Sequence, residues 1–290
     1  MKEDKRIELN LFAARLRLES ILSMASCGSG HVGGVLSAAE LVAVLYGDQA
    51  RYRPAEPDWD GRDRIVLSKG HCGPILYAAL ALEGFFPKEL LNTLNQPGST
   101  LPSHCNMHDT PGIDMSTGSL GQGASLAAGM ALGLKMRKND AYTYLILGDG
   151  ECDEGQVWEM ALFAAQQKLD HLIAFVDLNR QQLDGYTDEI LALGDLRRKF
   201  EDFGWHAVEV DGHDVSAIHD AIEDAKSRAG EMCIRDSCRA GPGMARSTDS
   251  NRRASDRNCG RPSGARLSVS TCIFLAGEMM IRMAVSFQNG

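Results

Sequence analysis

Residues 1–230 predict an α/β fold, a mostly parallel sheet with helices on both faces. Three observations carry that expectation. Short, wholly apolar segments such as Tyr142–Leu147 and Leu172–Val176 alternate with longer segments of helical periodicity. Strands apolar on both sides belong in a sheet covered on both faces. Glycine-containing polar turns directly follow the ends of those strands, where α/β sheets bind ligands.

In chain order, Ile7, Leu11, Ala14, Leu18, Ile21, Leu22 and Ala25 recur at helical spacing and predict an amphipathic first helix ending near Cys27-Gly28. Ser37–Leu45 reads as a second helix, with Ser37 as N-cap and Glu40 completing a capping box. Arg64–Leu67 is a short strand that runs into the turn Ser68-Lys69-Gly70-His71. Pro74–Leu82 and Pro87–Leu94 follow as helices. Residues 95–119 form a loop of a length that is usually functional inside a compact domain. Leu120–Lys138 is a helix of small residues, Tyr142–Leu147 a strand, Gln156–Gln167 a helix and Leu172–Val176 a strand. Leu196–Phe203 (helix), Ala207–Val210 (strand) and Val215–Arg228 (helix) complete the domain.

Composition narrows the function. The apolar runs fall far short of the ~20 residues of a membrane helix, and Met1–Arg6 is charged rather than a leader-like apolar stretch. A net charge of −9 disfavours non-specific nucleic-acid binding. The eight cysteines contain no CxxC pair, so neither a disulfide framework nor a zinc site is indicated, and a reduced, cytoplasmic setting is expected.

Charge also divides the chain. Residues 231–290 hold nine Arg, no Lys and five acids, a net of +4, against −13 before them. Met232–Arg266 shows no helical or strand periodicity, and Met232-Cys-Ile-Arg-Asp-Ser237 looks like a translated adaptor. This segment reads as an anomalous Arg-rich tail of foreign or out-of-frame sequence, expected to be disordered. An Arg-rich natural tail and a small genuine domain are the alternatives.

The chemistry concentrates at two strand ends. Gly148-Asp149-Gly150 follows Tyr142–Leu147, and Asn179 follows Leu172–Val176, so a carboxylate and an amide oxygen are offered to one point. Hard oxygens of this kind suit Mg²⁺, and the glycines let backbone approach a diphosphate. Without further context, GDG is a turn and Asn179 a cap. Here 28 residues separate Gly150 from Asn179, a spacing that matches the thiamine diphosphate signature of GDG followed by Asn.

With Ser29-Gly30-His31-Val32-Gly33-Gly34, Leu67-Ser68-Lys69-Gly70-His71, Pro102-Ser103-His104 and Ser116-Thr117-Gly118-Ser119-Leu120-Gly121-Gln122-Gly123, the chain resembles the N-terminal part of transketolase over about residues 7–230. The closest resemblance is to the N-terminal subunit of the split form. It implies the diphosphate-binding (PP-type) domain of the thiamine diphosphate fold. It also implies transfer of a two-carbon ketol unit from a ketose phosphate to an aldose phosphate through a cofactor-bound enamine.

By that resemblance Asp149, Asn179 and the backbone carbonyl of Gln181 ligate Mg²⁺, or Ca²⁺ or Mn²⁺ in its place. His71 and Gly150 contact the diphosphate, Gly118 and Leu120 line the cofactor, and His31 and His104 face the substrate. The α-helix opened by Gly118–Gly123 offers amides to nearby negative charge. Glu154 and Glu159 match acidic positions at the subunit interface. Cys72 and Cys105 stand where relatives often have Gly or Ser and Pro, a departure that bears on loop shape and oxidation.

The resemblance places the pyrimidine-binding domain and its glutamate after the matched region, and they are expected on another polypeptide. The expected partner is therefore a C-terminal transketolase subunit that carries them, in an α₂β₂ assembly acting in the pentose phosphate pathway. The rivals are another thiamine diphosphate enzyme half, 1-deoxyxylulose-5-phosphate synthase-like or 2-oxo acid dehydrogenase E1α-like, and a non-catalytic cofactor-binding subunit.

Overall fold

In this computed structural model the described residues are 1–228 and the strand segments Leu267–Leu275, Met279–Arg282 and Val285–Phe287. Apart from those three strands, the expected tail 231–290 lies outside the described residues.

The elements run α1 (Glu3–Cys27), α2 (Val32–Ser37), α3 (Ala39–Val44), β1 (Arg64–Leu67), α4 (Gly73–Leu82), α5 (Gln122–Met136), β2 (Thr143–Gly148), α6 (Gly155–Gln166) and β3 (Leu172–Leu178). A two-residue hairpin, β4 (Gln181–Gln182) and β5 (Gly185–Tyr186), is followed by α7 (Thr187–Ile190), α8 (Leu196–Asp202), β6 (His206–Glu209) and α9 (Val215–Arg228). The three later strands are β7, β8 and β9 in chain order.

β1, β2 and β3 pair in parallel, Arg64 with Thr143 and Thr143 with Leu172. β7 lies between β3 and β6, antiparallel to both, and β8 and β9 pair with β7. β6 therefore runs in the same sense as β1–β3.

Alternation along these strands builds two cores. Ile65, Leu67, Tyr144, Ile146, Ile173 and Phe175 face α1, α3, α4 and α9. Val66, Leu145, Leu147, Leu172, Ala174 and Val176 face α5, α6 and α8. The α/β expectation, helices on both faces of a mostly parallel sheet, describes the molecule.

Three local expectations are corrected. The first helix is where its periodicity puts it, closed by Gly28 in the left-handed conformation at φ 71°. Its orientation is the reverse of the simple reading. Ile7, Leu11, Leu18, Ile21 and Leu22 are 44–58% exposed, whereas Leu9, Ala13, Leu16 and Met24 are buried. The inner face also holds two serines, whose hydroxyls donate to Pro74 O (Ser20, 3.3 Å) and Leu91 O (Ser23, 2.6 Å). Small, satisfied hydroxyls let α1 lie close to its neighbours, which a row of leucines would not.

The second correction concerns Ser37, which ends α2 rather than capping a helix. Its hydroxyl donates toward Gly34 O (3.1 Å) and the Asp177 carboxylate. The expected capping-box partner, Glu40, instead takes Arg17 in a bidentate pair at 2.5 Å. The expected helix Pro87–Leu94 is a 3₁₀ segment, Lys88–Thr93.

Candidate active site

The carboxyl ends of β1, β2 and β3 open on a cavity of about 490 Å³. Around it the structure brings together His31, His71, His104, Gly118, Leu120, Asp149, Gly150, Asn179 and Gln181, all expected from the sequence. Glu154 and Glu159 do not line it; both lie exposed at and within the first turns of α6.

Asp149 sits at the end of β2 and is 4% exposed. Its carboxylate accepts the Gly150 amide (3.0 Å) and the Arg180 amide (2.6 Å), so it shapes the turn after β3 as well as its own. Arg180 reaches that position in the left-handed conformation, φ 58°. Asn179 Oδ1 accepts the Gln181 amide at 2.9 Å. Burial, and then the nearby Asp177 carboxylate, push the Asp149 carboxyl up to about 7. A bound cation would favour its ionised form.

Among the described residues no cluster of three or more His, Cys, Asp or Glu side chains could hold a metal. Two side-chain oxygens, a backbone carbonyl and a phosphate do fit a hard cation. The donor set thus suits a metal shared with a diphosphate better than a metal held by protein alone.

The histidines come from three separate loops. The rings of His31 and His71 meet edge to face with centroids 4.9 Å apart. Burial, then Lys69, His31 and His104, push His71 down to about 4, so it is neutral at pH 7. The expected long loop is anchored by Thr117, whose hydroxyl donates to Leu67 O at 2.7 Å and whose amide donates to Cys105 O at 3.0 Å. It delivers both His104 and Gly118. A Cβ on Gly118 would come within 3.3 Å of the His104 ring, so glycine there keeps that ring in place.

Beneath the cavity lies a charged floor that the sequence reading did not assign. Lys69, 1% exposed, donates to the Asp177 carboxylate and to Gly34 O at 2.8 Å. Burial opposes its charge, but Asp177, Cys72 and Asp149 together outweigh burial and hold the ammonium above the ordinary lysine value. Glu151, 2% exposed, accepts from Ser68, Gly121 and Gly148. The Gly121 amide at the start of α5 is thereby taken by Glu151, so the negative charge met at this helix end is the chain's own side chain. A carboxylate inside the apolar run of β3 was the visible signal for Asp177, because a buried charge requires a partner.

Cys72 and Cys105 are buried, and burial pushes their thiols up to about 11 and about 12. Cys72 packs under the His31 loop, since a Cβ on Gly34 would meet its Sγ at 2.8 Å. Both thiols are expected to resist iodoacetamide at neutral pH in the native chain. Peptide mass spectrometry checks this, and rapid labelling of either would contradict the packing.

Residues 9–251 match the family model described as transketolase, thiamine diphosphate binding domain. The chain belongs to this family. It is 53% identical over 228 residues to the 6-deoxy-6-sulfo-D-fructose transketolase subunit SqwG of Clostridium sp. (strain MSTE9), covering 79% of this chain and 83% of that one. It is 41% identical to a subunit of the apulose-4-phosphate transketolase of Phocaeicola vulgatus, covering 73% and 74%. Among solved structures, the Campylobacter jejuni transketolase aligns with TM-score 0.73 and 32% identity over 78% of this chain. A mutant Pichia stipitis transketolase in complex with fructose 6-phosphate aligns with TM-score 0.72 and 34% identity over 76%.

The chain spans only 36% and 34% of those two solved transketolases, but most of the length of the two subunit relatives. It corresponds to the thiamine diphosphate-binding part of a transketolase. Among the described residues of this transketolase chain, no helix is long and apolar enough to cross a membrane.

Proposed function

We propose that the cavity binds the diphosphate end of thiamine diphosphate and that the chain works as one half of a ketol-transferring enzyme, completed by a second polypeptide. The observation that carries this reading is convergence. Motif residues from five separated segments, 31–34, 69–71, 104–120, 148–151 and 179–183, line one cavity at the ends of three parallel strands.

In this reading Asp149 and Asn179 offer their side-chain oxygens, and Gln181 its backbone carbonyl, to Mg²⁺ or to Ca²⁺ or Mn²⁺ in its place. Gly150 and neutral His71 contact the diphosphate. Leu120 and Gly118 lie along the cofactor. When bound, thiamine diphosphate supplies the nucleophilic carbon that cleaves and re-forms the ketose carbon–carbon bond. His31 and His104, both exposed at the mouth, hold substrate hydroxyls and move protons there.

Leu183 lines the cavity yet is 87% exposed. An apolar side chain in the open at the rim of a site suits one that another polypeptide closes. That partner is a C-terminal transketolase subunit with the pyrimidine-binding domain, and the assembly is α₂β₂. In this reading Glu154 and Glu159, exposed just before and within the first turns of α6, belong to that interface. The donors are sugar phosphates of the pentose phosphate pathway, and the setting is cytoplasmic. The 53% identity to a subunit named for 6-deoxy-6-sulfo-D-fructose supports a second donor, a sulfosugar.

The test is a ketol-transfer assay with ribose 5-phosphate as acceptor, Mg²⁺ and thiamine diphosphate. Each donor, xylulose 5-phosphate or 6-deoxy-6-sulfo-D-fructose, is given to this chain alone, to a transketolase C-terminal part alone, and to the two together. Turnover only in the mixture is expected, and the preferred donor separates the two readings. Turnover by this chain alone would overturn the half-site assignment.

A further inference from the structure

Three turns that carry cavity residues converge on one buried side chain. We infer that Glu151 is a positioning residue, which sets the shape of the cavity by holding the Ser68, Gly121 and Gly148 turns on a single carboxylate. The inference rests on the cavity being the thiamine diphosphate site.

The donors come from different parts of the chain. Oε1 accepts the Ser68 hydroxyl, 83 residues away, and the Gly121 amide, 30 residues away, at 2.8 Å. Oε2 accepts the Gly148 amide at 3.1 Å. Each donor sits next to groups that face the cavity: Ser68 precedes Lys69 and His71, Gly121 follows Leu120, and Gly148 precedes Asp149 and Gly150.

The turns are also pressed together. A Cβ on Gly123 would meet Ser68 Oγ at 2.5 Å, and one on Gly121 would meet Glu154 Cβ at 2.9 Å. The Gly123 and Ser68 segments thus touch directly beside the carboxylate that bonds Ser68 and Gly121.

Lys69 donates to Asp177 and Gly34 O, so the Glu151 carboxylate depends on its three donors rather than on a direct ion pair. Glu151 takes the Gly121 amide immediately before α5, so that amide is not open to a ligand in the cavity. A neutral amide cannot reproduce this arrangement. Glutamine has one acceptor oxygen, and its NH₂ group would face either the Gly148 or the Gly121 N–H, donor against donor.

The test compares wild type, Glu151→Gln and Ser68→Ala, each as the full chain. Hydrogen exchange is followed across residues 67–70, 118–123 and 146–150. Thiamine diphosphate affinity with Mg²⁺ and steady-state kinetics are measured after assembly with a transketolase C-terminal part. For Glu151→Gln, exchange is expected to rise in all three segments. The KM for thiamine diphosphate should rise at least tenfold, while kcat at saturating cofactor stays within about twofold.

Ser68→Ala removes one donor from a small side chain, and should move the same readouts in the same direction by a few-fold. It decides the matter if the glutamine variant does not fold. Exchange confined to one segment would overturn the shared clamp. Faster exchange with unchanged cofactor KM would overturn the positioning role. A wild-type assembly that bound no thiamine diphosphate would refute the proposed function, with the exchange data still judging the clamp.

Discussion

Asp149→Ala is expected to lower thiamine diphosphate affinity in the presence of Mg²⁺ by about a hundredfold or more, beyond the ~10–100-fold seen when groups that merely orient a metal ligand are lost. The size follows from two jobs done by one carboxylate. It offers oxygens to the cation, and it accepts the Gly150 and Arg180 amides at 3.0 and 2.6 Å. Alanine removes both, so the turn carrying Asn179 and Gln181 loses its anchor as the metal loses a ligand.

Asp149→Asn separates the two effects, because its amide oxygen can still accept one backbone N–H while the negative charge is gone. Calorimetric titration with and without Mg²⁺ reads the result. Alanine binding as tightly as wild type would remove Asp149 from the ligand set. Asparagine binding like wild type would show that hydrogen bonding, not charge, is what the position supplies.

The largest effect on stability is expected at Lys69. Replacing it with methionine takes the Lys69 ammonium away from the buried Asp177 carboxylate, near Asp149 and Glu151, which are also buried. Breaking a buried ion pair from one side costs about 3–5 kcal/mol, which for a domain of this size lowers Tm by roughly 10 °C. Urea denaturation of the full chain measures it. Lys69→Met combined with Asp177→Leu should recover part of the loss, since the buried carboxylate is then removed too. A single variant within about 1 kcal/mol of wild type would mean that the pair contributes far less than its burial implies.

Much of this could be read from sequence where function depends on residues close together along the chain. The GDG turn, Asn179, the two glycine-rich histidine loops and the Gly118–Gly123 turn are local patterns, and the fold puts them around one cavity. The strands themselves were legible because sequences buried on both sides are continuously apolar.

Harder to see were relations across long separations. Lys69 stood inside a recognised motif, but its partner lies 108 residues away, and only the pairing of β1 with β2 and of β2 with β3 brings the two together. Glu151 followed GDG directly, yet its donors come from two other turns. The orientation of α1 was ambiguous for another reason. Both of its sides carry apolar residues, and periodicity finds a stripe without saying which stripe faces inward. Ser37 misled because a capping box needs only a serine and a glutamate at the right spacing. Here each has a stronger partner elsewhere, Asp177 for one and Arg17 for the other.

The register of the sheet has a consequence for the birth of the protein. Arg64 pairs with Thr143 and Thr143 with Leu172, so no two neighbouring strands of the parallel set are close in sequence. Such non-local pairing is slow to form. While the chain is still emerging from the ribosome, the His31 loop and the first strand are made long before the residues that would face them across the cavity. The binding site is thus complete only once residues as far apart as His31 and Leu183 have both been made and brought together. A ligand that binds only the finished structure stabilises it by mass action, so thiamine diphosphate can retain chains that have folded but cannot guide those still on the way.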